Sequence, residues 1–101
     1  MEEMLKSRIL GNEFLDKLRI SLVVDRAAFD SLCKDLVDLG KTWRGQERID
    51  KELVQLLYIL APVTQGIAHS LEDRHPGLSR DLSAMATELD ALVLECLSIS
   101  L

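Results

Sequence analysis

The chain has 101 residues, 48% of them hydrophobic but only 4% aromatic, with five glycines and two prolines. That length allows one domain with a single modest core, and the composition excludes a strand-rich or loop-rich chain, so the core must be Leu, Ile, Val, Met and Ala. Twelve basic residues lie scattered among seventeen acidic ones for a net charge of −5, which argues against DNA, RNA or an anionic membrane surface as the main partner.

Helix-period stripes recur along the chain and period-two alternation is absent. Together they predict an all-α fold: residues 1–101 as one three- or four-helix antiparallel bundle with short loops and a long central helix kinked at Pro62. The opening MEEMLKSR is acidic, and no apolar segment of signal-peptide type follows it. The longest nearly uncharged apolar stretch, Leu53 to Val63, falls well short of the ~20 residues that span a bilayer. A complete cytoplasmic protein is the expectation, with Cys33 and Cys96 as small buried thiols rather than a disulfide.

Met1 to Val24 reads as a first helix. Met4, Gly11, Leu15, Leu18 and Leu22 form its stripe with Phe14 beside it, while Ile9, Ile20 and Val23 point away. Gly11 costs ~1 kcal/mol relative to Ala, so the first ten residues are free to form a separate turn of helix. At Asp25 two readings stand. Either Asp25 caps a second helix beginning at Arg26, or one helix runs on, since the stripe continues in phase through Phe29, Leu32, Leu36, Leu39 and Trp43.

Gly40 is expected to end this segment, with GKTWRG (Gly40 to Gly45) as the clearest loop and Trp43 lying over the end of the bundle. The GKT triplet is not a phosphate loop: Asp35 stands where that motif needs glycine, and a helix precedes it. Gln46 to Asp73 then forms the helix around which the chain is organised. Ile49, Leu53, Leu56, Leu60, Val63 and Ile67 make its stripe, and Val54, Tyr58 and Ala61 make its middle apolar almost all round, as expected of a central helix wrapped by neighbours or covered by a second subunit. Pro62 should bend it without ending it.

Asp73 to Gly77 is a turn, with Ser79 available to cap the last helix. That helix carries Leu78, Leu82, Met85, Leu89, Leu92 and Cys96 on one stripe, and Leu94, Leu97 and Leu101 on the far side.

Nothing in these residues spells out a reaction. His69 and His75 share no helical face, which makes a solvated helix end a better account of them than a metal site. Cys33, on the flank of an apolar stripe, lacks the setting of an activated nucleophile. The segment RIDKELVQLL, Arg48 to Leu57, resembles the opening helix of the small all-helical chorismate mutases. Where that family places a catalytic arginine and a helical lysine, this chain has Leu60 and Leu71, so the resemblance implies no dicarboxylate site. No cofactor, metal or nucleotide site is expected.

The leading expectation is a non-enzymatic protein acting through protein–protein contact as regulator, adaptor, chaperone or toxin-neutralising partner. The alternative is a small helical enzyme or ligand-binding bundle whose polar groups converge only in three dimensions. The apolar surplus off the stripes favours a homodimer built on the last helix, with Val54, Tyr58, Leu94, Leu97 and Leu101 as candidate partner-binding residues.

Overall fold

The computed structural model describes residues 2–97, which fold into five helical segments and no strand: α1 (Glu2–Leu10), α2 (Phe14–Ser21), α3 (Arg26–Trp43), α4 (Lys51–Ser70) and α5 (Pro76–Leu97). The boundaries follow local chemistry. Asn12 makes the corner between α1 and α2: its Oδ1 accepts from the Phe14 N–H at 2.9 Å and its Nδ2 donates to the Ala28 carbonyl at 2.8 Å. One asparagine thus starts α2 and ties it to the head of α3. Asp25 caps α3 through the Ala28 N–H at 3.0 Å, and Asp50 caps α4 through the Leu53 N–H at 3.1 Å. The first two dozen residues are therefore two short helices, and the continuous phase through Asp25 does not denote a continuous helix.

Several of the expected boundaries shift. The central helix does not run from Gln46 to Asp73: α4 begins at Lys51, after the Asp50 cap, and ends at Ser70. Gly40 does not end α3, which runs on to Trp43. It sits against α5 instead: a Cβ there would stand 3.8 Å from Cys96 Sγ, an ordinary van der Waals contact, so alanine would be accommodated. The left-handed turn residue is Gly45, at φ +80°. Ser79 is not a cap either, because α5 begins at Pro76, the favoured first position for proline. Ser79 is buried and its hydroxyl donates to the Ala68 carbonyl at 2.6 Å, joining α5 to α4. Pro62 removes one donor from α4 without ending the helix, which continues for another two turns.

The helices form a four-cornered bundle in which α1 and α2 together occupy one corner. Glu2 reaches Trp43, and Arg8 reaches Asp35, so α1 runs antiparallel to α3. Lys6 contacts both Asp50 and Glu52, so α1 runs alongside α4 in the same direction. Gln65 donates to Ser83, and Ala68 meets Ser79, so α5 runs antiparallel to α4. Cys96 Sγ donates to the Leu36 carbonyl at 3.2 Å, which sets α5 beside α3. With α1 and α2 counted as one corner, successive corners alternate in direction. The backbones of α3 and α4 do not meet, and each packs on α5 and on the N-terminal pair. The connection from 44 to 50 therefore crosses a diagonal and makes α3 and α5 parallel neighbours.

The core draws on every segment, with Ile9, Phe14, Leu18, Leu32, Leu36, Leu39, Leu53, Leu57, Leu60, Leu82 and Leu89 almost wholly buried. Phe14 and Phe29 pack with ring centroids 5.1 Å apart. The last helix buries its expected face, with Leu82, Met85, Leu89 and Cys96 inside. On α4 the face is rotated. Leu53 and Leu60 are buried as expected, but their companions are Leu57, Ala61, Thr64 and Ala68, while Leu56, Val63 and Ile67 are half-buried and Ile49 is exposed. Nor is α4 wrapped on all sides; it is one corner of four. On α1, Leu5 and Ile9 turn inward and Met4 is exposed, because the break at Gly11 resets the helical phase.

Two consequences are measurable. Leu22 closes α2 in the left-handed region at φ 54°, where its N–H bonds back to the Leu18 carbonyl. A leucine there bears a steric cost that glycine does not, and its side chain is about half exposed. Leu22→Gly is expected to leave stability unchanged or raise it by up to about 1 kcal/mol, read from urea unfolding. A clear loss would show that the side chain earns more by contact than the turn loses by strain.

The second concerns acid. The Lys6 ammonium and then the Leu53 N–H hold the Asp50 carboxyl below its ordinary pKa. Lys17 and then Ala28 do the same to Asp25. Because the folded values are depressed, the stabilisation is present above the unfolded carboxylate pKa of about 3.9 and is lost as pH falls through the folded values. Urea midpoints should drop on acidification below about pH 4, and the Asp25→Asn/Asp50→Asn double variant should flatten that acid limb. An unaltered limb would assign acid sensitivity to other carboxylates.

Candidate interaction surface

The antiparallel register of α4 and α5 decides which exposed apolar residues share a face. Ala68 pairs with Ser79 and Gln65 with Ser83, and a shallow hollow of about 310 Å³ lies between Ala61, Pro62 and Gln65 on one helix and Ala86, Thr87 and Asp90 on the other. One turn further along, the same register sets Tyr58 across from Asp90, and the next sets Val54 across from Leu94. Tyr58 is 76% exposed and Leu94 60% exposed. Val54 and Leu97 are half-buried against the core at the edge of this face, and Pro62 is exposed beside them. By this register four of the five candidate partner-binding residues fall along the α4/α5 seam beyond the hollow, and none of them lines it. Leu101 lies outside the described residues.

The other off-stripe residues go elsewhere. Ile20 and Val23 are exposed at the α2 corner, and Met4 on α1, so no single patch collects them all. Ile9, which the pattern placed off the stripe, belongs to the core.

A second concavity, of about 360 Å³, runs on the opposite flank of α5, between α5 and its parallel neighbour α3. Leu36, Val37, Gly40, Ala91 and Leu92 form its walls, and Lys41, Arg44 and Glu95 line it as well. The sequence hid this groove, since its two sides lie some fifty residues apart and meet only because the loop after α3 crosses the bundle.

The groups considered for chemistry stay apart. His69 Nδ1 lies 3.1 Å from Glu72 Oε1 on an exposed surface, and His75 stands exposed in the following turn. Among the described residues no three His, Cys, Asp or Glu side chains cluster as metal ligands would. Burial and the nearby Glu88 and Asp30 push the Cys33 thiol up to about 11. Burial and Glu95 do the same to Cys96. Both are free thiols held in the unreactive protonated form at neutral pH. Leu60 and Leu71 are buried in the core, so the helix that resembles the chorismate mutase opening turns aliphatic residues, not cations, inward. No helix among the described residues is long and apolar enough to cross a membrane.

No protein-family model matches this chain, and neither a curated protein nor a solved structure is significantly similar to it.

Proposed function

We propose that this protein acts, without catalysing a reaction, by binding other proteins through the α4/α5 face, and that a second copy of the chain is one occupant of that face. The observation that carries this reading is the exposure of Tyr58 and Leu94, 76% and 60%, on the α4/α5 seam, with Val54, Pro62 and Leu97 beside them in the same register. An exposed aromatic ring with a polar tip is the kind of side chain that anchors protein interfaces, and the neighbouring leucine adds apolar area to the same surface. The bundle is elongated, 44 × 27 × 19 Å, and exposes 6747 Å². A compact chain of this mass exposes roughly 5,800 Å². Two-fold pairing is the commonest way of covering such surface. The two free thiols suit a reducing cytoplasm, where a regulator, adaptor, chaperone or toxin-neutralising partner would work.

Light scattering at low micromolar concentration tests the pairing, and the expected mass is that of two chains. A monodisperse monomer would end the homodimer reading. A ligand-binding bundle is the second reading, and the groove between α3 and α5 is what favours it.

A further inference from the structure

We infer that the groove between α3 and α5 is a binding site for a monomeric amphiphilic carboxylate, a molecule with one anionic head and an unbranched apolar tail. Its volume of about 360 Å³ falls within the range of small-ligand sites, and its walls are those such a tail would need. Val37 is 42% exposed and Leu92 half-buried, so apolar surface faces the opening. Gly40 and Ala91 are the small residues that leave the hollow unfilled. The stretch from Leu36 to Arg44 spans about two helical turns, roughly 12 Å, the reach of an eight- to ten-carbon chain.

The head would sit at the Lys41 and Arg44 end. These cations stand three residues apart at the close of α3, and neither forms an ion pair with another described residue at the distances seen for Lys6, Arg8 and Lys17. Glu95 also lines the groove, which leaves one net positive charge on a chain of −5. Arg44 offers a planar fork that matches a carboxylate, and Lys41 a point charge beside it. Complementing the dipole at the end of α3 also suits both cations, but that role needs no apolar hollow next to them.

The test is an amide NMR titration of the full chain with sodium decanoate below its micelle-forming concentration. Decyltrimethylammonium serves as the tail with the wrong head, and acetate as the head without a tail. Decanoate should give saturable shifts centred on Val37, Lys41, Arg44, Ala91 and Leu92, with neither control saturating over the same range. Lys41→Met/Arg44→Met should weaken binding at least about tenfold, the effect of losing a charge-assisted bond. Ala91→Phe should abolish binding by filling the hollow, and it lies on an exposed position where circular dichroism can verify the fold. Equal saturation by decyltrimethylammonium, unchanged binding by the folded double variant, or shifts centred on the α4/α5 face would overturn the assignment. So would binding to anionic vesicles without binding to free decanoate, which would identify the cations as a surface contact.

Discussion

Leu60→Ala is expected to lower the unfolding free energy by about 2–5 kcal/mol. Leu60 is 2% exposed. It also touches an open hollow of about 80 Å³ shared with Ile9, Leu15, Leu32, Leu56 and the exposed Asp16 and Arg19, where α1, α2, α3 and α4 converge. The loss comes from the burial of Leu60 itself, and how far the neighbours close over the truncated site sets where in the range it falls. A domain of this size has only 5–15 kcal/mol in total, so the variant should be close to unfolding at physiological temperature. Leu56→Ala is the comparison. Leu56 lines the same cavity but is half-buried, so less surface is lost and water can reach the site. Urea unfolding of both separates the readings. A loss below 1 kcal/mol at Leu60, or an equal loss at Leu56, would mean that the buried face of α4 has been misassigned.

That rotation of α4 marks where sequence reasoning stops. Helical periodicity identified α3 and α5 with their faces correct, because each has leucines on one side and charges on the other. On α4 the apolar residues run nearly all round, so several stripes fit equally well and Leu53 and Leu60 belong to more than one. The residues that settle the matter, Ala61, Thr64 and Ala68, carry little hydrophobic signal. They are inside because small side chains let α5 approach. Thr64 is admissible there because its hydroxyl donates to the Leu60 carbonyl at 2.7 Å, leaving no unsatisfied group. Gly40 departs from its pattern for a related reason: a glycine near a helix end suggests a terminus, yet α3 runs on past it, and its nearest neighbour across the bundle, Cys96, lies more than fifty residues away. The caps at Asp25 and Asp50 act through residues three positions on, so local sequence can show them, and Asp25 was legible. The apolar residues along the α4/α5 seam stand out in the sequence as side chains off their stripes, as do Ile20 and Val23, which lie elsewhere. Which of them share a seam follows only from the register between the helices.

Leu94→Glu and Tyr58→Glu are the substitutions that bear most directly on the proposed pairing. In a two-fold interface each substitution occurs twice, once in each copy. A carboxylate at the centre of an apolar contact loses burial and brings a charge that must be desolvated. If Tyr58 and Leu94 are anchors, each change should raise the dimer dissociation constant at least about a hundredfold, equivalent to roughly 1.4 kcal/mol from each copy. Both side chains are mostly exposed within one chain, so urea unfolding of the monomer should move by no more than about 0.5 kcal/mol. That contrast separates an interface residue from a structural one. Ile20→Glu supplies the control, because Ile20 is 83% exposed but sits on α2, away from this face. It should leave association unchanged. Sedimentation equilibrium over a range of concentrations reads all three. Loss of pairing in Ile20→Glu alone would move the interface to the N-terminal corner. Unchanged pairing in both Leu94→Glu and Tyr58→Glu would remove the α4/α5 face from the account of self-association.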